Sequence, residues 1–417
     1  MTIHVMKQML NYGSRKLELD IPDNSDILEA TQPEYQVDKK KFINRLVESI
    51  KKEPGTLSKV AIIVSDKTRL CDYHLYLPWV TDSLHEIGIH KDNIVFYIAY
   101  GTHPRQTDKE SIIAYGDTYK KYHFIHHDCT DSSLYTELGV TRQNTPVKVR
   151  KDILQKSLII TMGAISHHYF AGFGGGRKLL FPGLGEKESV YHNHSLYLDF
   201  DKKILQPGCQ PGKLKGNIIA EDLEEFDTYL PPRISIHGIL DISGKVNNLL
   251  VGNDYNDFVL ACNEHDKYYK YALDKEYDMV IASAGGYPKD INFIQSHKSI
   301  HNASTFVKEG GKIIILAECR DGIGTPGFLP LFASNNPDEL FRKMELHYTG
   351  NGGTALAMMD KARKYDIYLY SSLDKGVHEK MGIKSVNTHL ISKIVKENKG
   401  SLAVISNASM LIREEIP

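Results

Sequence analysis

Short apolar runs rich in β-branched residues recur along this chain, each followed by a helical pattern. Residues 59–64 (KVAIIV), 93–99 (NIVFYIA) and 157–161 (SLIIT) are the clearest in the first half. Runs of this length without polar alternation suit strands covered on both faces, so they predict parallel strands joined by crossover helices. The alternation resumes after the polar stretch 263–276, with strands expected at 278–282 (DMVIA), 312–317 (KIIILA) and 366–370 (DIYLY) and helices near 292–307 and 338–346. Because 417 residues exceed the size at which one core keeps growing, two lobes are expected. The expected fold class is α/β, with mainly parallel sheets in both lobes and an active-site cleft between them. The boundary is placed near residue 272, giving an N-terminal lobe of 1–272 and a second lobe of 273–400, with 401–417 joining either.

Global composition points to small-molecule chemistry. The formal net charge is −1, which gives no footprint for nucleic acid or a membrane surface. No apolar run approaches the roughly 20 residues that span a bilayer. The opening MTIHVMKQML lacks the layout of a secretory signal, so a cytoplasmic location is expected. Five scattered cysteines without a CxxC pair argue for reduced thiols rather than a disulfide framework or a zinc knuckle.

Each early strand runs into a polar or glycine-bearing loop: SDKTR, YGTHP and MGAISHHYFAGFGGGRK. Ligands in open α/β sheets sit at the carboxyl ends of strands, so these loops are expected to converge on one site. The glycine loop is no Walker A motif, because Leu179 follows Lys178 where Ser or Thr is required, and its glycines miss the GxGxxG spacing. Alone, GGGRK reads as a solvent-facing turn. Its neighbours alter that reading, since His167 and His168 precede it and His192 and His194 follow.

Taken together, SDKTR, GTHP, SHHYFAGFGGGRK with its following PG, NHS, and GGYPKDxNFxQSxK resemble the nickel-pincer lactate racemase family, in the same order from Asp66 to Lys298. The resemblance implies a racemase or epimerase of a 2-hydroxy acid, lactate or a related, larger one. It implies nickel held by a pyridinium mononucleotide with two sulfur-containing arms, tethered to Lys178 and built by separate maturation proteins. It assigns metal ligation to His194, acid/base roles to His103 and His168, and substrate contacts to Arg69, Gln295 and Lys298. Asp66, Thr68, Gly174, Gly175 and Gly176 are expected to line the cofactor. Ile294 precedes Gln295 where the family's lactate-type members carry an aromatic residue, and no tryptophan follows Trp79.

The chemistry accounts for these residue types. Deprotonating C2 beside a carboxylate is difficult, whereas hydride removal leaves a planar keto acid. Return from either face calls for a base on both sides, and histidine titrates near working pH. Imidazole and sulfur suit nickel. Gln295 and Lys298, three apart, share a helix face that could hold substrate oxygens.

Blander readings accompany each residue. His103 before Pro104 could be a turn residue, and Gln295 and Lys298 a solvated helix face. His123, His126, His127 and Cys129 are read as structural, because adjacent strand residues point to opposite faces. Trp79 is read as a core anchor. The competing functions are a non-catalytic nucleotide or sugar-phosphate binder and an NAD-dependent 2-hydroxy-acid dehydrogenase.

Overall fold

The structure, a computed structural model, describes residues 4–31, 33, 35–55 and 57–414. It divides into two compact units, one of Gln32–Tyr197 and Gly208–Asp266, the other of Met1–Thr31, Leu198–Pro207 and Lys267–Pro417.

The first unit is built on a six-stranded sheet. Its order is Val246–Gly252, Ile234–Leu240, Leu158–Ala164, Val60–Ser65, Ile94–Ala99 and His123–His126. All neighbours pair in parallel except the terminal hairpin of Ile234–Leu240 with Val246–Gly252. Every residue of Val60–Ser65 is buried, as the unbroken apolar run requires of a central strand. From that strand the chain moves outward to Ile94–Ala99 and His123–His126, then returns to the opposite side at Leu158–Ala164. The strand order therefore reverses between Val60–Ser65 and Leu158–Ala164, which opens a crevice at their carboxyl ends.

One face of this sheet packs a core of Ala61, Ile63, Tyr97, Ile153 and Ile159 with Leu179, Leu180 and Leu184. Leu179 fits because Gly163 stands opposite it, where a Cβ would lie 3.0 Å from Leu179 Cδ1. Burial of Leu179 and Leu180 fixes the short 3₁₀ turn Gly176–Leu179, and with it the backbone of Lys178.

The second unit carries a wholly parallel sheet, ordered Lys384–Ser385, Asp366–Tyr370, Val307–Leu316, Tyr277–Ser283, Leu402–Ile405 and Asp26–Leu28. All six strands anticipated from sequence are present, as are the helices Phe293–Ser304 and Pro337–Leu346.

Domain membership differs from the sequence expectation in two respects. The first 31 residues belong with the C-terminal unit rather than with an N-terminal lobe of 1–272. Strand Asp26–Leu28 pairs with Leu402–Ile405, and Leu10, Tyr12, Leu19 and Ile21 of the hairpin Val5–Tyr12 and Arg15–Pro22 join a core with Met279, Ile281, Ile314 and Val404. The polar stretch 263–276 begins as the end of helix Tyr255–Tyr269 and continues into the short strand Lys270–Ala272, and the division falls inside that helix, after Asp266. The tail, undecided from sequence, joins the second unit through Leu402–Ile405, while residues 415–417 lie outside the described residues. Trp79 is half-buried, against Phe42, Tyr76 and Lys39.

Candidate active site

The three loops that leave the carboxyl ends of Val60–Ser65, Ile94–Ala99 and Leu158–Ala164 meet around a cavity of about 100 Å³. Arg69, His103, His168, Lys178 and His194 all line it. The fold thus gathers residues separated by as much as 125 positions in sequence (194 − 69).

In the first loop Asp66 is 2% exposed. Its Oδ1 accepts hydrogen bonds from Thr68 N at 2.8 Å and Thr68 Oγ1 at 2.6 Å. His103 Nδ1 donates to Asp66 Oδ2 at 2.7 Å. Burial raises the Asp66 pKa, but the charges and hydrogen bonds of His103, Arg69 and Thr68 outweigh it and hold the carboxyl well below its usual range. Arg69 Nη1 lies 3.5 Å from His103 Nδ1. Both Asp66 oxygens are thus engaged within the chain, and Thr68 acts on Asp66.

The glycine-rich segment forms a small hairpin, Ser166–His168 with Gly172–Gly174, in which His168 pairs with Gly172 and His167 with Phe173. Successive strand residues point to opposite faces. His168 accordingly lines the cavity, while His167 turns to Asp266 on the reverse. Gly175 then takes φ +80°, where a Cβ would stand 2.4 Å from the Ala164 carbonyl oxygen, so only glycine permits the approach. Gly174 and Gly175 line the cavity. Gly176 packs beneath Phe258 and His237, where a Cβ would lie 2.5 Å from Phe258 Cδ2, so the ring leaves no room for a side chain.

His194 lies in the last turn of helix Lys187–Ser195. Its Nδ1 donates to the Val190 carbonyl at 2.8 Å, which leaves the other ring nitrogen with a lone pair. Burial, aided by the charges of Lys178, Arg69 and His103, drives its pKa down to about 3. The ring is therefore neutral at physiological pH, the form in which imidazole ligates metals.

Phe170, which sequence reasoning did not single out, sits among these groups. Its centroid lies 4.5 Å from that of His168 and 5.0 Å from that of His194, and Lys178 Nζ stands 5.5 Å from it. Asp222, 1% exposed, was also missed. It accepts from Thr141 Oγ1 (2.5 Å), Thr145 Oγ1 (2.7 Å) and Asn193 Nδ2 (2.7 Å), which anchors the residue before His194.

Gln295 and Lys298 belong to the other unit, in helix Phe293–Ser304, where Lys298 Nζ donates to Gln295 Oε1 at 2.7 Å. Asn292 caps that helix by accepting from Gln295 N. His127, read as structural, donates from Nε2 to the Gly185 carbonyl at 3.1 Å; His126 is held between Tyr100 and Tyr119.

Two family descriptions fit this chain: Lactate racemase N-terminal domain over residues 12–204 and Lactate racemase C-terminal domain over residues 273–358. A lactate racemase of Thermoanaerobacterium thermosaccharolyticum is 29% identical over 345 residues, covering 80% of this chain and 79% of that protein. Another, of Lactiplantibacillus plantarum, is 30% identical over 270 residues, covering 64% of this chain and 62% of that protein. Among solved structures, the lactate racemase apoprotein of T. thermosaccharolyticum superposes with a TM-score of 0.84 at 24% identity, covering 98% of this chain and 100% of that one. A Thermotoga maritima protein superposes with a TM-score of 0.72 at 15% identity, covering 93% and 100%. At these identities the two structures establish the α/β fold.

Proposed function

Because the chain belongs to the lactate racemase family and is an isomerase of that family, we propose that it inverts C2 of a 2-hydroxy acid, lactate or a larger relative, with a nickel-pincer mononucleotide tethered to Lys178. The observation that carries this reading is the convergence of His168, Lys178 and His194 on the Phe170 ring.

The residues present fit that group. His194 is buried and neutral, and its Nδ1 is committed to Val190, so its remaining lone pair is available to a borderline metal. Lys178 lines the same cavity, and Gly174 and Gly175 bring bare backbone to its wall. When bound, the pyridinium supplies a reversible hydride acceptor, chemistry that no side chain offers.

The chain's own residues handle the proton and the orientation. Asp66 accepts from His103 Nδ1, which leaves Nε2 to take or return the hydroxyl proton of the substrate. His168 serves as the second base. Its Nδ1 accepts a long hydrogen bond from Ala171 N at 3.4 Å. Arg69, Gln295 and Lys298 are the residues we assign to substrate oxygens, by charge-assisted hydrogen bonds. Maturation proteins would build and load the cofactor. A cytoplasmic location agrees with five unpaired thiols, and no helix among the described residues is long and apolar enough to cross a membrane.

The test is racemisation of 2-hydroxy acids by loaded enzyme carrying His103→Ala or His168→Ala. Each variant is expected to lose activity and keep its nickel. Loss of nickel from either would reassign that histidine to the metal.

A further inference from the structure

On the reverse of the catalytic hairpin lies a second cluster of metal-ligating groups. His167 comes from strand Ser166–His168, and His265 and Asp266 from helix Tyr255–Tyr269. The side chains of His167 and His265 are 0% and 1% exposed, and that of Asp266 is 18% exposed. One ligating atom from each of the three lies within 4.8 Å of the others.

A hydrogen-bonded histidine–aspartate pair explains only part of this arrangement. His167 Nε2 and Asp266 Oδ1 are 2.8 Å apart, a normal hydrogen bond. His265 Nδ1 stands 3.9 Å from that same oxygen, too far for a hydrogen bond. The two imidazole centroids are 4.5 Å apart with their planes at 90°. Donors around one tetrahedral cation with bonds near 2.0–2.1 Å are separated by roughly 3.3 Å. The observed pairs bracket that separation, one slightly short and one slightly long. Phe173 packs against both rings, at 5.4 and 6.3 Å, and closes one flank to water. The partly exposed Asp266 leaves an entry path.

We propose that His167, His265 and Asp266 form a structural site for a divalent cation of the zinc class, separate from the cavity that holds His194. Two imidazoles and one carboxylate are the donor set that such borderline metals take, with water as a fourth ligand. The ion would pin the hairpin that presents His168 to helix Tyr255–Tyr269. This inference stands whether or not the reading of the catalytic cavity is right.

The test uses the full chain without cofactor, stripped with chelator and titrated with zinc alone by calorimetry. One equivalent is expected to bind. Asp266→Asn, which keeps a carbonyl for His167, and His265→Ala are each expected to weaken binding roughly tenfold or more, while His194→Ala leaves it intact. No uptake, uptake insensitive to both substitutions, or uptake abolished by His194→Ala would overturn the proposal. Zinc-edge absorption on the unaltered chain needs no variant: two imidazoles in the coordination shell support the site, and a shell of oxygen alone contradicts it.

Discussion

Asp66 and His103, 37 residues apart in sequence, meet through a 2.7 Å hydrogen bond from the imidazole Nδ1 to a carboxylate that is otherwise sealed from solvent. The bond fixes the ring's tautomer and directs Nε2 away from the carboxylate. Thr68 keeps the carboxylate from rotating by donating twice to its other oxygen.

Asp66→Asn should therefore impair catalysis more than folding. An amide can present its NH2 group to Nδ1, which moves the ring proton to Nε2 and removes the base. Turnover of loaded enzyme is expected to fall about 100-fold or more, with nickel per chain unchanged. Unaltered turnover would deny Asp66 this role.

Asp222→Ala should loosen the helix that presents His194. The substitution leaves two buried hydroxyls and the Asn193 amide without their acceptor, at about 1–3 kcal/mol for each unsatisfied group. A lower urea midpoint and weaker nickel retention are expected together. Normal retention in a destabilised chain would confine Asp222 to a structural role.

Gly175→Ala should disrupt the lysine-bearing turn directly. At φ +80° an added Cβ meets the Ala164 carbonyl at 2.4 Å, and Lys178 N donates to the Gly175 carbonyl at 3.1 Å. We expect strain of about 1–3 kcal/mol and reduced cofactor loading. Thermal unfolding together with nickel content would check both effects.

Acid should destabilise the first unit before its carboxylates titrate. Burial, with Arg150, lowers the pKa of His127 to about 4, and burial, with Arg233, lowers that of His237 to about 4, against 6.5 for an ordinary histidine. Between pH 6.5 and 4 the unfolded chain binds protons at these two positions that the native chain refuses, so their contribution to stability is fully present above that window and is lost as pH falls through it. Each histidine contributes about 1.4 kcal/mol per pH unit. The urea midpoint should be lower at pH 5 than at pH 7.5, and His127→Gln should narrow the gap. Equal midpoints for the unaltered chain would contradict this.

Much of the fold was legible because buried parallel strands leave continuous apolar runs, as VAIIVS does at 60–65. The meeting of the three strand-end loops was legible too, since ligands in open α/β sheets sit at carboxyl ends, whereas the reversal of strand order that creates the crevice appears only in the folded sheet. The membership of the first 31 residues was not. Strand Asp26–Leu28 finds its partner at Leu402–Ile405, and pairing across that distance leaves no local pattern. Alternation along Ser166–His168 separates His168 from His167 once an extended strand is assumed. Asp222 was hidden among the carboxylates of IIAEDLEEFD, where only the folded core shows that this one is buried and its neighbour Glu221 is exposed. Phe170 carries no titratable group, so a search for chemistry passed over it.

Everything proposed for the cavity depends on Lys178 carrying the hydride-accepting cofactor. Intact-mass analysis of the full chain, produced together with its maturation proteins, tests this most directly. A covalent adduct is expected on the unaltered chain and none on a folded Lys178→Ala variant. An adduct of the same mass on that variant would contradict the assignment.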